Sequence, residues 1–303
     1  MNQLLNLFLD NLLPIFLAAG AGYLLARLTS ITPSALSRVI FYIFSPCLIF
    51  SLLTHSQLSN DDILHSILFA VCAILLIGAF TWLAGKLLRL DRRTLAGVLI
   101  ASMFMNAGNF GLPVVMFAFG ETALSYASLF FVADAMLAYS LGVIIASSGS
   151  ASLRQALINL LKIPTIYALV LALLFLRTGW QIPVPLERTT TLLGNASVPA
   201  MLVLLGLQLS KANWKGKALP ITLASFMRLV VGPAIVLLLS PIFGLSGAAR
   251  QANVLESGMP TAVLTTVLAT EYDAEPSLVT AIVFISTLLS PLTLTPLLAY
   301  LGA

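Results

Sequence analysis

The sequence predicts an all-α integral membrane protein of ten transmembrane helices in two inverted five-helix repeats, with helices 4 and 9 broken. Three observations predict it. The 303 residues are 59% hydrophobic and only 9% charged, with a mean hydropathy of +1.04, so they cannot supply a soluble surface. Ten apolar stretches, each near the ~20 residues that span about 30 Å of hydrocarbon, follow one another through short connections. Two of them carry a glycine-proline interruption at matching places, Asn106-Ala107-Gly108-Asn109-Phe110-Gly111-Leu112-Pro113 and Glu256-Ser257-Gly258-Met259-Pro260.

The stretches fall at 4–26, 36–54, 63–85, 95–118, 124–146, 156–176, 189–209, 218–240, 248–269 and 277–300. The first lacks a basic leader, carries Asp10 early and runs into a second apolar segment, so it reads as a retained span and not a cleaved signal. Its Gly20 and Gly22 suit close helix approach. Pro46 in span 2 and Pro199 in span 7 read as kinks. Pro113 and Pro260, each with glycine nearby, read as full breaks in spans 4 and 9, because proline removes an N–H and glycine permits a non-helical path. His55 and His65 flank an outer loop and read as solvated. Cys47 and Cys72 lie in apolar spans and read as free thiols.

The prolines also measure an internal repeat. Pro14 and Pro164 lie 150 residues apart, Pro46 and Pro199 lie 153 apart, and Pro113 and Pro260 lie 147 apart. The expected units are 1–150 and 151–303. Five spans per unit is odd, so the second unit starts from the opposite face of the membrane. Basic residues set the orientation. With the N-terminus outside, inner connections hold Arg27, Arg38, Lys86, Arg89, Arg92, Arg93, Arg154, Lys162, Lys211, Lys215 and Lys217, and outer ones hold only Arg177, Arg188 and Arg250. Both termini are therefore expected outside. The net charge of +4 needs no nucleic acid to explain it, and lipid is the expected surroundings.

Helix breaks inside a bilayer expose backbone groups that only protein, ligand or cavity water can satisfy. Two helix N-termini facing one cavity offer partial positive charge and free N–H donors, a setting for an anion. Asn106 and Asn109 add amides that can meet a carboxylate or cap the broken ends. Gly111, Ser257, Gly258 and Thr261 complete the expected binding set, with Gln208 a weaker candidate. Asp134 and Glu256 are ionisable groups in apolar surroundings, candidates for carrying a proton or contacting a cation, or for static pairing and capping. Arg228 in span 8 either neutralises an acidic side chain or binds a substrate carboxylate. Nucleotide-binding, nucleophile-elbow and zinc-protease motifs are missing from the sequence, so neither an enzyme nor a cofactor is expected.

These segments resemble the auxin efflux carrier family, specifically its bacterial members often labelled malonate or malate transporters. The motifs are Ser45-Pro46-x-x-Ile49-Phe50, Asn106-x-x-Asn109-x-Gly111-x-Pro113, Pro199 through Leu205-Gly206-x-x-Leu209, and Ser257-Gly258-Met259-Pro260. The resemblance implies crossing broken helices 4 and 9, a fold similar to bile-acid sodium symporters, and a homodimer. It also implies a scaffold of helices 1, 2, 6 and 7, a moving transport domain of helices 3–5 and 8–10, and Asn109 as the central crossover asparagine. The chain lacks the plant carriers' Asn-Pro-Asn-x-Tyr pattern and long central loop, so a small carboxylate is the implied cargo rather than auxin. A proton or sodium ion is the expected coupling partner, with a sodium-driven symporter, a receptor or a channel as alternative uses of the same cavity.

Overall fold

The computed structural model describes residues 2–56, 58–147, 153–210 and 217–303; Lys211 and Lys215, counted above in the charge bias, lie outside them. Among the described residues every named element is a helix. In order come α1 (Gln3–Leu28), α2 (Pro33–His55), α3 (Asn60–Leu87), α4 (Arg92–Met103), α5 (Ala107–Ala146), α6 (Leu153–Leu160), α7 (Pro164–Thr178), α8 (Val184–Leu209), α9 (Ala218–Leu239), α10 (Gly247–Ser257), α11 (Leu264–Glu271) and α12 (Pro276–Leu301).

Ten spanning helices are not what the chain forms. Among the described residues seven helices are long and apolar enough to cross a membrane, namely α1, α2, α3, α5, α8, α9 and α12. This overturns the expected ten-helix inverted-repeat arrangement. Expected span 6 is the 15-residue α7, about 22 Å of helix and short of the hydrocarbon thickness. Expected span 9 divides into α10 and α11, of 11 and 8 residues. The first half of expected span 4 is the 12-residue α4, and its second half runs on into span 5 as α5. A hydropathy pattern counts apolar residues and cannot see where the backbone leaves the helix.

α5 is not straight. Gly120, at φ 75° and ψ −166°, adopts a geometry closed to residues with a Cβ. A Cβ on Gly108 would lie 2.9 Å from the ring of Phe131, although 23 residues of straight helix would separate the two by about 35 Å. The element therefore doubles back at Gly120 into two adjacent arms.

Proline acts more gently than expected. Four five-residue π-helical turns, Phe8–Leu12, Ile40–Phe44, Ala107–Gly111 and Met227–Val231, each end two residues before a proline: Pro14, Pro46, Pro113 and Pro233. Widening one turn relieves the clash between the proline ring and the preceding carbonyls while the helix continues. Pro113 thus sits in a continuing helix, and the true break lies at Phe104–Asn106, where Phe104 turns extended at φ −98° and ψ 118°.

Packing divides along α5. α8 lies along α1, and α7 and α8 both lie against α2. The first contact is tight enough that a Cβ on Gly206 would overlap the Ala19 carbonyl, and one on Gly22 the Val203 carbonyl. α3, α4, α5, α9, α10 and α12 pack among themselves, with α10 against α5. The two groups meet mainly where α8 and α2 touch α5, and where α1 touches α12.

Candidate functional site

The two interrupted segments meet. Met105 and Thr261 form an isolated antiparallel bridge, in which the Asn106 N–H donates to the Pro260 carbonyl at 2.7 Å and the Ala262 N–H to the Phe104 carbonyl at 3.0 Å. Each break thus satisfies part of the other's freed backbone, as an interior break in lipid requires. Thr261 locks the junction, its hydroxyl donating to the Ala101 carbonyl at 2.8 Å and its N–H to Ser286 Oγ at 3.1 Å.

Four helix ends converge here, two of each polarity. α4 ends at Met103 and α10 at Ser257, so their carbonyl ends point toward the junction from one side. Arg228, fully buried, sits against them: its Nη1 donates to the Ser102 carbonyl at 2.9 Å and to Met103 at 3.4 Å, and its Nη2 donates to the Ser257 carbonyl. A permanent cation thereby answers the negative ends of two helix dipoles. The partners expected from sequence were an acidic side chain or a substrate carboxylate. Asp134 does interact with Arg228 through space, but no ion pair joins them among the described residues.

On the other side, α5 and α11 begin. Their first turns border a cavity of about 170 Å³. Met105, Asn106, Gly108 and Asn109 line it from the first break, and Ala262, Val263 and Leu264 from the second. The returning arm of α5 adds Phe131, Asp134 and Tyr139, while α2 adds Ser45 and α8 adds Met201 and Gln208. Asn109 Nδ2 donates to Gln208 Oε1 at a long 3.4 Å. The Asn106 side-chain amide and one Asp134 oxygen are buried without a hydrogen-bond partner. A buried polar atom left unpaired is costly unless something else occupies the space beside it.

Of the residues singled out in the sequence, Asn106, Asn109, Asp134 and Gln208 line the cavity. The others do not. The Ser257 hydroxyl turns back to the Asn253 carbonyl at 2.8 Å. Gly258 lies against Leu297, and Pro260 contributes its carbonyl to the bridge. Gly111 serves Glu256: a Cβ there would overlap the Glu256 carboxylate, whose two oxygens are fully buried and unpartnered. Sequence reasoning did not place Ser45, Phe131, Tyr139 and Met201 in the site; they reach the cavity only through helix packing. His55 is exposed as expected, and its Nε2 also pairs with Glu187 at 3.0 Å across α2 and α8. No cluster of His, Cys, Asp and Glu that could hold a metal occurs among the described residues.

Residues 7–298 match the family described as membrane transport protein. Among curated relatives, a Methanothermobacter thermautotrophicus protein described as an uncharacterized transporter is 28% identical over 291 residues, covering 94% of this chain and 95% of the relative. A second uncharacterized transporter, from Methanocaldococcus jannaschii, is 29% identical over 269 residues, 86% of each chain. A Rhizobium meliloti protein with the provisional description of malonate transporter is 27% identical, covering 94% of this chain and 93% of its own.

Proposed function

The chain belongs to the membrane transport protein family, and on that premise we propose that it carries a small organic carboxylate by alternating access. One observation carries this reading. Two helix N-termini and an unpartnered Asn106 amide converge on one cavity while Arg228 neutralises the opposite helix ends. Donors held in fixed positions suit an anion, and amides supply them without a permanent charge that would hold the cargo too tightly. The cavity is also smaller than the ~300–1,000 Å³ pockets that hold drug-sized ligands, which favours a short-chain acid over a sterol-like one. The provisional description of the Rhizobium meliloti relative is in line with malonate as a first substrate to try.

The moving parts follow the packing. α1, α2, α7 and α8 would form a static frame, with α3 to α5 and α9 to α12 shifting against it. The cavity, lined from both groups, would then change the face to which it opens. The positive-inside bias supports a cytoplasmic side at the basic helix ends, with Arg27, Arg38, Lys162 and Lys217, in a bacterial inner membrane.

Coupling requires an ion whose binding alters the balance of the two facing states. Asp134 is our candidate proton carrier because its carboxyl sits in the cavity wall with one oxygen unpartnered. Glu256, buried behind Gly111, is the candidate for a second proton or a sodium ion.

Counterflow of radiolabelled malonate, malate and auxin in proteoliposomes, with pH and sodium varied separately, tests the proposal. Saturable exchange of one acid is expected. No exchange in folded, inserted protein would reject the carboxylate reading and favour a receptor, whereas currents far above carrier turnover would favour a channel.

A further inference from the structure

The cavity is one of two hollows on a single seam. A chamber of about 620 Å³ opens at the other end of the same three helices, lined by His55 of α2, by Glu121, Ser125 and Tyr126 of α5, and by Thr191 and Asn195 of α8. The residues nearest each other across the divide are Ser45 and Ser51 on α2, Phe131 and Tyr126 on α5, and Met201 and Asn195 on α8. Five or six residues of helix, about 8–9 Å, separate the hollows. That interval contains the buried Leu48, Leu129 and Ser197. Two bonds seal one wall of the chamber by tying α2 to α8: Ser51 to Thr191 at 3.2 Å and His55 to Glu187 at 3.0 Å.

The two ends of the seam differ in charge. At the cavity end the helix termini carry exposed Arg27, Arg38, Lys162 and Lys217 beside the exposed Glu271 at the end of α11, while Asp273 is taken by Arg93. At the chamber end Asp61, Asp62, Glu121 and Glu187 share their face of the protein with Arg177, Arg188 and Arg250 as permanent cations, and Glu187 is taken by His55. The Tyr126 hydroxyl reaches Asp62, which brings a second carboxylate to the rim. Glu121 is exposed, and among the lining residues it is the one carboxylate. Its position, directly after Gly120, also places it at the start of the returning arm, where a carboxylate suits the helix dipole.

Building on the carboxylate reading above, we propose that the chamber is an anion-repelling vestibule, with Glu121 as the residue that sets how poorly cargo is recaptured from that side. A charge in a low-dielectric-walled cleft changes the local concentration of a charged ligand and its capture rate. The equilibrium across the membrane is untouched; the effect is kinetic, on exchange between cavity and chamber. Positive-inside orientation puts the chamber on the outer face.

The test compares right-side-out and inside-out membrane vesicles from expressing cells, with labelled malonate as probe, at low and high ionic strength. Glu121→Gln is expected to lower KM on the chamber side roughly two- to tenfold at low salt, the range for one charge acting over about 10 Å. Glu121→Lys should lower it further and Glu121→Asp should match the parent. KM on the opposite face should not move, and the difference should shrink in high salt. An unchanged chamber-side KM in Glu121→Lys, or equal shifts on both faces, would overturn the vestibule while leaving the carrier in place. No exchange of malonate, malate or auxin by the parent protein would remove both proposals together.

Discussion

The two sides of the helix junction have the same backbone and opposite fates. Where α4 and α10 end, the exposed carbonyls are met from within the protein by a single buried guanidinium, and the space is filled. Where α5 and α11 begin, the N–H ends and the Asn106 amide border an open cavity. The difference shows how a break in a membrane helix becomes a site: one polarity is neutralised permanently by a side chain, and the other is left for a ligand.

Removing the permanent partner should have the largest effect. Arg228→Met leaves carbonyls of both α4 and α10 unpaired and Asp134 without its nearby cation, so a loss of roughly 3–5 kcal/mol is expected. In detergent this should appear as aggregation or a much lower melting temperature by size-exclusion thermal assay. A stable, monodisperse Arg228→Met protein would break the comparison.

Next comes Gly111→Ala, which drives a methyl into the Glu256 carboxylate and should cost on the order of 1–3 kcal/mol. The double variant Gly111→Ala with Glu256→Ala should regain most of the lost melting temperature. Failure of that rescue would show that Gly111 serves the backbone rather than Glu256.

On the open side, effects should fall on transport and not on stability. Asn109→Ala is expected to abolish specific exchange while melting temperature and oligomer size stay at parental values; normal affinity and turnover would remove Asn109 from the site. Asp134→Asn should keep counterflow but lose stimulation by a pH gradient. Full gradient dependence together with fast exchange in that variant would exclude Asp134 as the proton carrier.

The smallest effect lies outside the membrane. Asp91 caps α4, accepting from the Arg93 and Thr94 N–H groups at 3.1 and 3.0 Å and from the Thr94 hydroxyl at 2.7 Å. Those bonds, led by the Thr94 hydroxyl, hold its carboxyl below the ordinary aspartate value. Its contribution is therefore present above the unfolded-state value and lost as pH falls through the lowered one. Asp91→Ala should cost about 1 kcal/mol near neutral pH, and the two proteins should converge in acid.

Much of this was legible in the residues. Composition and apolar stretches identified an all-α membrane chain, and Asn106, Asn109 and Asp134 drew attention as polar groups in apolar surroundings. The span count failed because α7 is too short and because the interruptions leave α4, α10 and α11 as pieces, features of backbone path rather than of hydropathy. Pro113 misled for a related reason: a π-helical turn absorbs the ring, and the break falls nine residues earlier at Phe104. Arg228 was visible, but its partners are carbonyls, which every residue possesses and no sequence pattern marks.

By itself, then, the sequence determined the solvent the protein lives in, the charge asymmetry of its helix ends and the presence of two interrupted segments, because these depend on side-chain chemistry summed along the chain. Tertiary structure alone decided that Met105 and Thr261 bridge the interruptions, that Asp134 meets Asn109's cavity, and that Gly111 makes room for Glu256. Those outcomes rest on contacts between residues tens or hundreds of positions apart. Such contacts are set by packing and by the need to satisfy buried backbone groups, which a linear pattern does not encode.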